Sequence, residues 1–196
     1  EWVIRNLTIV DGSLNRFSAN HLGSTNNEAF GYSVAMSGDG HTLAVGAPYY
    51  TNDDGTTTGR RECGRVVVFK WRNKRWEKLS NELIGDNNTG SNEYDHFGFS
   101  IALNKNGNVL VVGAPQDISK DSNDKGYVRI YGYKENLNSY EILSPSIING
   151  PLSTSTNWDN YEKFGFCVDI SPDGKHVIAG TPNANTSTSD PKGQGV

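Results

Sequence analysis

No apolar run in the sequence approaches the roughly 18 residues that a membrane-spanning helix requires, so no membrane insertion is expected in this segment. There is no basic excess either: 18 Lys and Arg stand against 22 Asp and Glu, a formal net charge of -4. Binding to phosphate backbones rests on an excess of cations, so nucleic acid is not expected as a partner. Cysteine is scarce, with only Cys63 and Cys167. Two thiols this far apart make neither a zinc motif nor a disulfide framework. Two separate small thiols are expected, with a single disulfide between them as the alternative. Helical periodicity is absent throughout. No secretory leader is visible, since Glu1-Trp2 opens directly into folded-looking sequence, which leaves both a cytosolic chain and a mature or excised piece of a secreted protein open.

What the 196 residues do contain is glycine, 22 of them, at 35% hydrophobic content. That composition suits many short strands joined by tight turns. It also contains a repeat. FGYSVAMSGDGHTLAVGAP at residues 30–48 is matched by FGFSIALNKNGNVLVVGAP at 97–115 and by FGFCVDISPDGKHVIAGTP at 164–182. The interval is constant, since 97 − 30 = 67 and 164 − 97 = 67. A fixed period of this size is the signature of a repeat architecture.

Each unit reads as a hairpin followed by two more strands. Tyr32, Val34 and Met36 alternate with Gly31, Ser33 and Ala35, as Phe99, Ile101 and Leu103 do with Gly98, Ser100 and Ala102. Period-two alternation places the two sets on opposite faces of a sheet. Neither face is charged, so both are expected to be buried, with a bulky face stacked on a small-residue face. Asp39-Gly40, Asn106-Gly107 and Asp173-Gly174 supply the tight turn. Third strands follow at GRVVVF (64–69) and GYVRIY (126–131), and fourth strands at WEKL (76–79) and YEIL (140–143). WVIR (2–5) reads as a fourth strand left from a preceding unit. Four antiparallel strands per unit make a β-propeller blade.

These motifs, FG followed by GAP or GTP and then by G-x-V-x-(V/I)-(F/Y), resemble the FG-GAP repeat known from integrin α-subunit propellers. The resemblance covers essentially the whole chain. It implies an all-β propeller of several blades, commonly seven, extracellular and used in adhesion or assembly. Calcium-binding members of that family carry an acidic loop between the first and second strands. Here that position holds Ser37-Gly38-Asp39-Gly40, Asn104-Lys105-Asn106-Gly107 and Ser171-Pro172-Asp173-Gly174. Calcium takes about six or more oxygens, so no cofactor is expected and calcium is unsupported at these turns.

The units divide as 1–29 (outer strand and loop of a preceding blade), 30–96 and 97–163 (two blades) and 164–196 (the start of a third). About three blades fall short of the four to eight that close a ring. The chain is therefore expected to be part of a larger propeller, completed by the same or another chain.

Up-and-down strands send alternate connections to opposite ends of a blade. The first-to-second and third-to-fourth turns are short and share one end. The second-to-third and fourth-to-first connections are long and share the other. Long loops on a rigid scaffold are the usual seat of binding. On this long-loop face Tyr49, Tyr50, Asp53, Asp54, Arg60 and Arg61 form one candidate binding cluster. Asp117, Asp121 and Asp124, with Asn123, form a second with oxygens suited to a cation. Asn6, Asn87 and Asn185 begin N-x-S/T triplets and are candidate glycosylation sites. Together they favour an extracellular or cell-surface glycoprotein.

His21, His41, His96 and His176 have neither a nucleophile beside them nor metal-ligand spacing. Asp169 stands where the other units have Ala35 and Ala102, on the face lining a propeller axis. No catalytic constellation emerges, and the expected function is a non-catalytic interaction or structural scaffold binding protein partners or glycans. The alternatives are a carbohydrate-binding or carbohydrate-active propeller, with Trp71, Trp158 and the loop tyrosines as stacking platforms, and an accessory domain to an enzyme elsewhere in a longer chain.

Overall fold

The alternating residues lie in extended chain and the Asp-Gly and Asn-Gly pairs reverse it. Strand β2 (Ser33–Met36) pairs antiparallel with β3 (Thr42–Ala47), which pairs with β4 (Arg65–Arg72), which pairs with β5 (Arg75–Lys78). The computed structural model describes residues 9–10, 28–52, 62–79, 81–85, 94–115, 126–143, 147–150 and 163–182. Strands β7 (Ser100–Leu103), β8 (Val109–Ala114), β9 (Tyr127–Lys134) and β10 (Ser139–Ile142) repeat the order, and β12 (Cys167–Ile170) with β13 (Val177–Gly180) begins it a third time. The described residues are all-β, and these sheets are β-propeller blades.

The fourth strand differs from its expected form. It is split: β5 pairs with one half of β4, and the two-residue β6 (Leu83–Ile84) pairs with the other at Arg65 and Val66. The second blade does the same with β10 and β11 (Ile148–Asn149) on β9. The fourth-to-first connections read as long loops thus begin with the second half of an outer strand. The expected strand at 2–5 lies outside the described residues. Nearby, β1 (Ile9–Val10) pairs with the outer edge of β5, and this pairing is parallel.

Burial follows the stacking of blades. Ala44, Val66 and Val68 of the first blade and Leu110, Val112, Tyr127 and Tyr131 of the second form one apolar layer. Val111 and Val128 on the far face of the second blade meet Val168 and Ile170 of the third. The expectation that both faces of the first strand are buried fails at the first blade. Tyr32, Val34 and Met36 are half exposed or more, whereas the corresponding Phe99, Ile101 and Leu103 are partly buried. The physical reason is positional: the bulky face of β7 is covered by the first blade, and that of β2 has no blade against it among the described residues. Ile178 shows the same at the other end, 69% exposed where Val111 is 0%.

The FG and GAP motifs meet at each joint between blades. A Cβ on Gly46 would overlap the carbonyl oxygen of Gly98, and one on Gly113 would overlap that of Gly165. Gly98 itself has φ +88, a conformation that side chains rarely adopt. The Ser33 hydroxyl donates to the Gly98 carbonyl at 2.6 Å and Ser100 to Gly165 at 2.8 Å. The Phe97 N–H donates to the Cys63 carbonyl at 3.2 Å, where Gly64 and Phe97 form a parallel bridge. The glycines of the motif are thus the places where one blade's backbone seats on the next.

Candidate functional site on the long-loop face

The residue before each Phe-Gly step is left-handed: Ala29, His96 and Lys163 all have φ 53. At the second blade this conformation lets the His96 N–H donate to the Glu62 carbonyl at 3.1 Å. It also brings the imidazole inward, where Nε2 lies 2.9 Å from Glu62 Oε2. The His96 side chain is 5% exposed and that of Glu62 39%, so the pair has a buried member and a solvent-facing one. Glu62 is also left-handed at φ 47, and its N–H donates to Thr51 Oγ1 at 3.2 Å.

Aromatic rings gather around this pair. Tyr49 stands edge-on to His96 at 5.0 Å and Tyr94 does so at 6.4 Å. Tyr49 also meets Tyr32 edge-on at 6.0 Å. From Tyr32 the run continues along the first strands, with Phe99 at 4.9 Å and Phe166 a further 4.9 Å on. Tyr32, Phe99 and Phe166 occupy one repeat position, since 32 + 67 = 99 and 99 + 67 = 166. Tyr32 and Phe166 are well exposed.

Beneath the cluster lies a buried ion network. The Arg65 guanidinium donates to Glu28 Oε1 at 2.9 Å and to Glu82 Oε2 at 2.8 Å, and Lys78 pairs with Glu82 Oε1. It also lies 4.4 Å over the Tyr50 ring. Burial works to lower the Arg65 pKa, but the Glu82 and Glu28 carboxylates outweigh it and hold it above its ordinary value. Burial raises the Tyr50 phenol, partly offset by Arg65. In the second blade a tyrosine–carboxyl hydrogen bond takes this place: Tyr127 donates to Asp95 Oδ2 at 3.1 Å.

Of the candidate binding residues, Tyr49 and Tyr50 are described, and they separate: Tyr49 joins the aromatic cluster while Tyr50 lies against Arg65. Asp53, Asp54, Arg60, Arg61, Asp117, Asp121 and Asp124 lie outside the described residues, as do Asn6, Asn87, Asn185 and Trp158. Among the described residues no group of three or more His, Cys, Asp or Glu is placed to hold a metal ion. Trp71 is not an open platform; it lies edge-on to the buried Trp76 at 5.4 Å across the β4–β5 hairpin. Asp169 is exposed and accepts from the Ile170 N–H at 2.8 Å. Cys63 is buried, Cys167 is exposed, and they do not form a disulfide.

Sequence reasoning missed His96–Glu62, Tyr94 and the acid that precedes each Phe-Gly by two residues. That acid recurs at Glu28, Asp95 and Glu162, which repeats the 67-residue interval and was the available signal. The His96–Glu62 pairing had none, because it depends on two left-handed residues.

An FG-GAP repeat model matches residues 23–67. No curated protein matches the sequence. Among solved structures the chain is similar to hydrazine synthase of Kuenenia stuttgartiensis, at 16% identity and a TM-score of 0.41 over 74% of this chain and 40% of that one. It is also similar to the periplasmic gluconolactonase of Pseudomonas aeruginosa, at 15% identity and a TM-score of 0.41 over 83% and 38%. The chain thus spans about two fifths of the length of each. The matched repeat recurs at Phe97 and Phe164 with the same Phe-Gly step, turn and closing Gly-Ala-Pro or Gly-Thr-Pro. Residues 23–67 are thus an FG-GAP repeat, the first of three copies of its Phe-Gly to Gly-Ala-Pro or Gly-Thr-Pro pattern in the chain.

Proposed function

We propose that the chain is a non-catalytic extracellular or cell-surface scaffold, an adhesion or assembly module that binds protein partners through its long-loop face. The observation that supports this reading is the grouping of Tyr49, Tyr94 and Tyr32 around the His96–Glu62 pair. Tyrosines give large contact area with little rotamer freedom to lose, and they combine an apolar ring with a polar tip. A few such residues carry most of the energy of a protein interface. The Tyr32 N–H donates to the Ala29 carbonyl and the Tyr49 N–H to the Glu28 carbonyl, so these two rings stand on hydrogen-bonded backbone and binding would cost little reordering.

The test is a screen of arrayed cell-surface ectodomains with the purified chain, repeated with a Tyr49→Ala, Tyr94→Ala double variant of unchanged circular dichroism. Hits that lose at least tenfold in affinity in the variant support the reading. Hits unaffected by it place the interface elsewhere. A parallel glycan array addresses the carbohydrate alternative: strong sugar binding that disappears in Trp158→Ala would replace the protein-scaffold reading.

A further inference from the structure

The short-turn end of the blades concentrates positive charge that the net charge of the chain conceals. Three hairpin turns lie there in a hydrogen-bonded row: the Asp39 N–H donates to the Lys105 carbonyl at 3.0 Å, and the Lys105 N–H to the Pro172 carbonyl at 3.2 Å. The outer turns are tied to one another, because the Arg72 guanidinium donates to Tyr133 Oη and to Asn138 Oδ1, both at 3.0 Å. Lys70 Nζ sits 3.4 Å from the centre of the Tyr133 ring. Burial and the neighbouring Arg72 charge lower the Lys70 pKa, as expected where cations crowd.

Among the described residues at this end three acids are engaged; a fourth, Glu135, is exposed beside Lys134 and acts on Lys70. Asp39 accepts from the Ser37 hydroxyl at 2.6 Å and the His41 N–H at 2.9 Å. Asp173 accepts from the Ser171 hydroxyl at 2.6 Å and the Lys175 N–H at 3.1 Å. Glu77 is paired with Arg75 at 3.0 Å. Lys74, Lys105, Lys134 and Lys175 are exposed, and none of them is in an ion pair among the described residues. In the outer turn that follows Lys134, Leu137 is 56% exposed.

Lysines around an exposed leucine, on turns held in a fixed row, suit one kind of surface. Anionic headgroups attract cations that are spread over a face rather than gathered in a cleft. An apolar tip gains by entering the interface between headgroups and acyl chains. Among the described residues the turns at this end are short, and none stands up to wall a groove for a threaded polymer. We propose that the short-turn end is a docking surface for an anionic phospholipid bilayer, with Lys74, Lys105, Lys134 and Lys175 meeting headgroups and Leu137 entering the interface. It is a second surface, at the opposite end of the blades from the long-loop face, and it orients that face away from the membrane.

Sedimentation of the full chain with vesicles tests this, using phosphatidylcholine alone and phosphatidylcholine mixed with phosphatidylserine. Binding is expected only to the mixed vesicles, weakening as salt screens the charges. Each of Lys105→Gln, Lys134→Gln and Lys175→Gln should lower the partition coefficient roughly fivefold, and the triple Glu variant should abolish binding. Leu137→Ser should lower it roughly tenfold at constant charge. All these positions are exposed turns, and circular dichroism checks that each variant folds. No binding to mixed vesicles, equal binding to neutral ones, or full retention by the triple Glu variant would each overturn the proposal. So would binding to heparin without binding to vesicles, which would assign the face to an acidic polysaccharide.

Discussion

The hydroxyl of Ser33 donates to the carbonyl of Gly98 across the joint between the first and second blades, and this one bond ties the two halves of the FG-GAP motif together. Ser33 comes three residues after its own Phe-Gly phenylalanine, and Gly98 is the glycine of the next unit's step. Gly46 completes the joint by leaving room for that same carbonyl oxygen. The motif is therefore an instruction for stacking blades, and its conserved spacing within this chain has a mechanical cause.

The joint yields a graded prediction. Ser100→Ala removes the matching bond to Gly165 and should cost about 1 kcal/mol. Gly113→Ala puts a methyl into the Gly165 carbonyl and should cost about 3 kcal/mol, the upper range for overpacking. Urea midpoints of the two variants measure the order. Equal costs would mean that the hydroxyl, rather than close backbone approach, holds the blades together.

The ion network around Arg65 should be more sensitive than the Tyr127–Asp95 hydrogen bond that takes its place in the second blade. Glu28→Gln leaves a buried guanidinium with one carboxylate fewer, and removing a partner of a buried pair costs about 3 kcal/mol or more. Tyr127→Phe removes one hydrogen bond to Asp95 and should cost about 1 kcal/mol. A thermal or urea series on both variants separates them. A Glu28→Gln cost below that of Tyr127→Phe would show that Glu82 alone satisfies Arg65.

The strands were legible in the sequence because their causes are local. Alternation at residues 31–36 and Asp-Gly or Asn-Gly pairs at the turns act within one hairpin. What decides the rest lies between blades. The exposure of Tyr32 and the partial burial of Phe99, its equivalent one repeat later, differ only in whether a neighbouring blade covers them. His96 reaches Glu62 from 34 positions away through two left-handed residues, and no pattern of residue types encodes that. The lysines of the short-turn end are scattered from Lys74 to Lys175, so a net charge of -4 hides their convergence on one end of the blades.

Acid should unfold the protein partly through Glu82. Burial works to raise its carboxyl, but the hydrogen bond from Lys78 and the Arg65 charge outweigh burial and hold it below the ordinary value of 4.5. The unfolded chain therefore takes up this proton at higher pH than the folded one. Glu82's contribution is complete above the unfolded carboxyl range and is lost as pH falls through the depressed folded value. Asp39 acts in the same direction: burial opposes ionisation there, but the Ser37 hydroxyl and His41 N–H prevail. Urea midpoints should decline as pH falls below about 4.5, and the decline should be shallower in Glu82→Gln. An identical slope in wild type and variant would remove Glu82 from this account.

The two cysteines should respond differently to a thiol reagent. Cys167 is exposed, at the position where the first two units have Ser33 and Ser100. Cys63 is 0% exposed and its thiol lies 3.4 Å from the Tyr50 carbonyl, one residue before the Gly64–Phe97 bridge. Reaction of a thiol requires access as well as thiolate character. Native protein with a disulfide-exchange reagent in excess should therefore show one fast equivalent, assigned to Cys167 by mass spectrometry and absent in Cys167→Ser. The second equivalent should appear only as the blade joint opens, at a rate that rises with urea and rises further in Gly113→Ala if joints open cooperatively. Two fast equivalents in native buffer would show that the Cys63 backbone is not held against Phe97 in solution. No fast equivalent would show that the Cys167 face is covered, and cross-linking from that position would then identify what covers it.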